Sequence, residues 1–167
     1  MQSGKILVAK QEGTYVLKFC GDVRLTLCSA LDQFLETMLT DPDFTTVLID
    51  LTETDGIDST SLGLLAKISV RMQQKHRLLP TILSVKDDIT RILMSMGFDK
   101  VFLLIREANT ETAGMHELPL SQCSEDEMRT TVLDAHKILM NLNDQNKLVF
   151  KDLVASLEGC APEARKH

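Results

Sequence analysis

Four side chains capable of chemistry stand in a row at Asp58-Ser59-Thr60-Ser61. A carboxylate and three hydroxyls can cap a helix, act as a nucleophile or accept a phosphoryl group. Val47-Leu-Ile-Asp-Leu51 precedes them, a short apolar run of the kind found in strands covered on both faces. Thr52 to Asp58 reads as a polar loop. A helix is expected to open at Asp58 or Ser59, with Leu62, Leu65, Ala66, Ser69 and Met72 or Gln73 as its inward stripe and an end near His76. A buried strand thus delivers a polar loop to a helix start. Ser, Thr and Asp are preferred N-caps because their oxygens accept orphan backbone N–H groups. A single cap needs only one of them, and the surplus singles this place out.

Hydrolytic chemistry at Ser59 finds little support in the sequence. No Gly-x-Ser-x-Gly elbow surrounds it. The histidines fall at a helix end (His76), in a polar linker (His116), on a C-terminal helix (His136) and at the terminus (His167), and none is expected beside Ser59. No nucleotide-binding glycine pattern occurs. Cys20, Cys28, Cys123 and Cys160 form no Cys-x-x-Cys pair and have no histidine at metal-ligand spacing, so core or incidental thiols are expected and no metal or cofactor is implied. Asp50, at the end of a buried run, raises the idea of a receiver domain. Such a domain needs an acidic pair after its first strand to hold Mg²⁺, and Lys10-Gln11-Glu12 stands there instead.

The elements that must position the site follow from periodicity. Ile6 to Ala9 and the alternating Tyr15 to Phe19 form a hairpin around Glu12-Gly13-Thr14. Gly21-Asp22 is expected to break the second strand. Leu27, Leu31, Phe34, Leu35, Met38 and Leu39 mark a helix that Asp41-Pro42 ends. Thr81 to Val85 is a further buried strand. Asp87-Asp88 open a third helix with Ile89, Ile92, Leu93 and Met96 inward and Gly97 at its C-cap. Val101 to Ile105 is a fifth strand. The order β-β-α-β-α-β-α-β predicts an α/β fold, a mixed β-sheet with covering helices, over residues 1–106. Residues 107–123 read as a linker. Ser124-x-x-Glu127 has the form of a capping box. Met128, Val132, Ala135, Leu139 and Leu142 then give a narrow apolar seam. A shorter helix carries Leu148, Val149, Leu153, Val154 and Leu157. The C-terminal helical extension covers 124–158, with a frayed tail at 159–167.

Composition excludes some classes. A net charge of −6 and a pI near 5.2, with Lys and Arg scattered, argue against a nucleic-acid or acidic-membrane surface. The longest apolar run, Val101 to Ile105, is far short of the ~20 residues of a membrane span. A cytoplasmic location is expected.

Asp58-Ser59-Thr60-Ser61-Leu62-Gly63 resembles the Asp-Ser-Ser-Gly-Leu-Gly helix start of the STAS family of anti-sigma-factor antagonists. Gly21-Asp22-Val23-Arg24-Leu25 is similar to that family's turn after the second strand. Ile89 to Phe102 resembles its third helix, glycine and following strand. The resemblance spans residues 4–106, and the extended C-terminus suggests the HsbA-type antagonists. It implies a binding module and not an enzyme. A partner serine kinase of the anti-sigma-factor type would phosphorylate Ser59, and a PP2C-type phosphatase would reverse this. The unphosphorylated form would bind an anti-sigma factor, a flagellar one by the HsbA-type likeness, or a kinase. Ser61 replaces the family's usual Gly, which leaves Thr60 and Ser61 as competing acceptors. Asp22, Arg24, Glu53, Asp55, Asp58, Ser59, Thr60 and Ser61 would form the partner-binding surface. Glu53, Asp55 and Asp58 would make it acidic, so that a phosphate's added charge repels a docked partner. A scaffold without a switch is the alternative. The C-terminal helices are expected either to pack as a lid or to dock a partner.

Overall fold

A computed structural model describes residues 3–76, 78–107 and 114–159, with His76 described by its backbone alone. Strand β1 (Lys5–Gln11) and strand β2 (Thr14–Val23) form the opening hairpin. Its two-residue turn places Glu12 and Gly13 at φ 52° and 84°, the left-handed pair that matches strand twist. Helix α1 (Cys28–Leu39) follows, then strand β3 (Thr46–Ile57), helix α2 (Ser59–His76), strand β4 (Thr81–Leu83), helix α3 (Asp87–Ser95) and strand β5 (Leu103–Ile105). Strand β6 (His116–Glu117) and helices α4 (Glu125–Met140) and α5 (Asp144–Gly159) complete the described chain.

The strand order is β5-β4-β3-β2-β1-β6. The hairpin and β6 are antiparallel, whereas β2, β3, β4 and β5 run parallel, as the crossovers through α1, α2 and α3 require. The sheet is therefore mixed, as expected. Ile6, Val8, Leu17, Phe19, Ile49, Leu51 and Ile82 are buried on it, and α1 and α2 bring Leu31, Leu35, Leu65, Ile68 and Met72 to the same core.

Several boundaries differ from the sequence reading. Gly21-Asp22 does not end β2. Gly21 takes φ 78°, and the ladder shifts register at Lys18/Cys20 and Gly21/Asp22, so the strand bulges and continues to Val23. The polar stretch Thr52–Ile57 is not a loop. It continues β3, pairing Glu53, Thr54, Gly56 and Ile57 with Cys20, Gly21, Asp22 and Val23. Thr54 is fully buried and donates its hydroxyl to the Phe19 carbonyl at 2.8 Å. Val85 lies outside β4 and is exposed. Within the stretch read as a linker, His116–Glu117 adds to the sheet edge, and the Leu118 N–H donates to the Ile6 carbonyl at 2.7 Å.

The C-terminal helices pack back on the domain. The capping box of α4 is present, with the Glu127 N–H donating to Ser124 Oγ at 3.1 Å and the Ser124 N–H to Glu127 Oε1 at 3.2 Å. Ala135 and Leu139 of the predicted seam are fully buried. On α5 the buried residues are Asn146, Phe150 and Val154, whereas Leu148, Val149 and Leu153 face solvent. Asn143 and Asn146 both donate side-chain N–H groups to the Met96 carbonyl, at 3.2 and 2.9 Å. The start of α5 is thereby fixed to the C-cap of α3. Among the described residues no helix is long and apolar enough to cross a membrane. The expected frayed tail falls mostly on 160–167, outside the described residues.

Candidate functional site

The β3–α2 junction is built by one carboxylate. Asp58 accepts the Ser61 N–H on Oδ1 at 2.9 Å, and its carbonyl accepts the Leu62 N–H at 3.0 Å. It is the N-cap of α2, which makes Ser59, Thr60 and Ser61 the first three helical residues. The Asp58 N–H donates to the Val23 carbonyl at 3.1 Å. This bond ties the helix start to the end of β2 and brings Asp22 and Arg24 beside it.

The three hydroxyls differ in environment. Ser61 is fully buried, with Oγ 3.4 Å from Cys28 Sγ, and Thr60 is 6% exposed. Burial pushes the Cys28 thiol up to about 12, only partly opposed by the Ser61 hydrogen bond. Ser59 is half-buried and is the most exposed of the three. Its Oγ lies 2.7 Å from His136 Nε2. His136 Nδ1 is 2.7 Å from the Val132 carbonyl. A carbonyl only accepts, so Nδ1 carries a proton, and in the neutral imidazole Nε2 accepts the Ser59 hydroxyl. The imidazole is 3% exposed and packs edge-on to Phe150, with centroids 5.5 Å apart.

This pair overturns the expectation that no histidine stands beside Ser59. His136 comes from α4, one turn beyond Val132 and one turn before Leu139 and Met140. Its signal in the sequence was its place next to Ala135 on the apolar seam. The contact continues along α2. A Cβ on Gly63 would overlap the backbone carbonyl of Ala135, so only glycine lets the two helices approach this closely. Ser59 and Gly63 are four residues apart and share one helix face, and α4 lies over that face.

The acidic surface expected around Ser59 is largely neutralised. Glu53 pairs with Lys18, and Asp55 with Lys86 at 2.9 Å. The Asp58 carboxylate is engaged in its cap. Asp22 Oδ2 accepts from Arg24 Nε at 2.8 Å, while its buried Oδ1, facing Gly56, finds no donor among the described residues. Asp22, Arg24, Asp58, Ser59, Thr60 and Ser61 are thus gathered at one end of the sheet. Glu53 and Asp55 lie earlier on β3, each with its own cation. Asp50 is buried and accepts from Thr52 N and Oγ1 at 2.9 and 2.7 Å.

Chemically, Ser59–His136 has the form of a hydroxyl with a base in reach. The base is oriented by a backbone carbonyl, not a carboxylate. A groove between α1, α2 and α4, lined by Asp32, Leu64, Lys67, Asp134 and Lys137 among others, includes neither residue in its wall. Among the described residues no group of three or more His, Cys, Asp or Glu could hold a metal ion.

A mixed sheet crossed by three helices, with a hydroxyl cluster opening the second, is the STAS architecture. Residues 6–106 match the family model described as "Mlab, STAS domain", and the chain belongs to that family. The fold is similar to that of an anti-sigma factor antagonist from Mycobacterium paratuberculosis, at 20% identity and TM-score 0.53, covering 78% of this chain and 94% of that one. It is also similar to unphosphorylated SpoIIAA, an anti-sigma factor antagonist, at 12% identity and TM-score 0.52, covering 62% of this chain and 89% of that one. A search of curated proteins returned no match.

Proposed function

We propose that the chain is an anti-sigma-factor antagonist switched by phosphorylation of Ser59. Unphosphorylated, it binds an anti-sigma factor, of the flagellar kind that the HsbA-type likeness suggests, or a serine kinase. The phosphate releases that partner, and a PP2C-type phosphatase restores binding. The protein acts as a cytoplasmic binding module and not as an enzyme. Asp22, Arg24, Asp58 and Ser59 form the centre of the partner surface.

The observation that carries this reading is the sorting of the three hydroxyls. Ser61 and Thr60 are buried in the first turn of α2, and Ser59 alone is half-buried there. A phosphate adds about −1.5 to −2 charges at neutral pH. At the first turn of a helix, the dipole and free N–H groups favour that charge, so the fold is retained. With Glu53 and Asp55 already paired, the phosphate changes the local charge from near balance to strongly negative. A cost of ~1.4 kcal/mol per tenfold in affinity means that one or two lost contacts suffice for release.

Peptide mass spectrometry on protein from its own cells tests this. A substoichiometric phosphate on Ser59, with partner capture retained by Ser59→Ala and impaired by Ser59→Asp, is expected. Unmodified Ser59 across growth conditions, with Ser59→Asp binding as wild type, would replace the switch by a constitutive scaffold.

A further inference from the structure

We propose that the α4–α5 hairpin is a displaceable lid that withholds Ser59 from its kinase, with His136 as the latch. The inference rests on the assignment of Ser59 as phosphoacceptor.

The serine carries an imidazole at hydrogen-bond distance, and the next residue on the same helix face, Gly63, is in backbone contact with Ala135. Phosphoryl transfer requires the donor phosphate in line with Oγ and the surrounding water excluded by the kinase. A kinase cleft cannot enclose a residue whose helix face is covered by another helix. In the open form the nucleotide's terminal phosphorus bonds to Oγ and its bond to the bridging oxygen breaks. The hydroxyl proton passes to the kinase.

The cover is built to separate. On α4 its fully buried apolar hold is Ala135 and Leu139, backed by Phe150 of α5 against His136, while Met128, Val132, Ile138 and Met140 are only half-buried. The adjoining groove mixes apolar Leu64, Ala135 and Ile138 with Asp32, Lys67, Thr131, Asp134 and Lys137, and water solvates the charged groups among them when the helices part. Lys67 is already held by Asp32 and Glu36 of α1, at 2.7 and 3.0 Å, and needs nothing from α4. The foot of the hairpin is tied separately, by Asn143 and Asn146 to Met96. Ala135 and His136 lie only about two turns before that anchor, so uncovering Ser59 takes a pivot of α4 about the Asn143 turn while α5 stays tied to Met96.

Two substitutions in the full chain loosen the cover from opposite sides. Gly63→Ala suits a helix interior but collides with the Ala135 carbonyl. His136→Ala removes the latch. Purified full-length protein is incubated with ATP and an extract of its own cells, and phosphate on Ser59 is followed by mass spectrometry. Phosphorylation faster than wild type by about tenfold in both variants is expected, since the apparent rate scales with the fraction open. Equal rates overturn the lid. A slower His136→Ala overturns it too, and makes His136 the proton acceptor for the transfer. If no variant gains phosphate at Ser59, the phospho-switch itself fails, and the lid is decided by a second readout. With Ser59→Cys in place, iodoacetamide alkylation at position 59 should be slow and should accelerate about tenfold on adding Gly63→Ala. Equal alkylation rates overturn the lid.

Discussion

His136 Nε2 and Ser59 Oγ meet at 2.7 Å although 77 positions separate them in the chain. One residue opens a helix of the STAS domain; the other belongs to the helical extension that follows it. The extension is thus joined to the domain at the one hydroxyl that the fold leaves nearest the surface in its motif. A lone cap explains Asp58, but not why Ser59 is given a partner of its own.

The identity of the acceptor can be tested beside its neighbours. Thr60→Ala and Ser61→Ala are expected to leave phosphate incorporation at position 59 intact, because both hydroxyls are buried. Ser61→Ala should cost about 0.5–1.5 kcal/mol through its lost bond to Cys28. Urea denaturation and peptide mass spectrometry on the two variants give both numbers. Loss of the phosphate in Ser61→Ala with Ser59 present would move the site.

Asp58 should behave as a helix cap first. Asp58→Ala is expected to destabilise by about 0.5–2 kcal/mol, and Asp58→Asn by much less, since Asn caps almost as well. Thermal unfolding of the two variants separates this from a purely electrostatic role, in which both would lose the same amount.

Cys28 should be inert. With its thiol pushed up to about 12 by burial, almost none is thiolate near neutral pH. Iodoacetamide at mildly alkaline pH should alkylate the half-buried Cys123 well before Cys28, and label Cys28 only on unfolding. Comparable rates in the native protein would mean that the α1–α2 contact opens readily.

Acid stability should depend on Asp41. Its carboxylate accepts from Lys10 at 2.6 Å, from the Tyr15 hydroxyl at 2.5 Å and from the Asp43 N–H at 2.9 Å. These bonds, led by that to Lys10, hold it at about 2, below the ordinary 3.8. A depressed carboxylate stabilises the fold above its unfolded value, and that contribution is lost as pH falls from about 3.8 to about 2. Asp41→Asn should therefore flatten the loss of urea resistance across this window. An unchanged acid limb would show that other carboxylates govern it.

The sheet, the three crossover helices and the α2 start were legible because each rests on a periodic apolar pattern or a cap. The second half of β3 was not. Thr52 to Gly56 shows no alternation, and it is a strand because the bulged tail of β2 offers it a ladder and Phe19 offers Thr54 an acceptor. On α5 the period is legible and the face only in part, since Val154 is buried as expected. Leu148, Val149 and Leu153 point to solvent, while Asn146 is drawn inward by the Met96 carbonyl, a bond no hydrophobicity pattern reveals. Ser59 is legible from its position, but its partner is not, because the contact with His136 depends on α4 lying over Gly63.

The paired asparagine anchor at Met96 has a consequence for competition. A lid that lifts at one end and stays moored at the other is an intramolecular rival, present at millimolar effective concentration however dilute the protein. Any protein that prefers the uncovered helix must outbid that tethered rival. Once bound, it raises the share of chains open to a second such protein by the same factor that the second would raise for it. Two regulators that never touch would become cooperative through the cover they both displace.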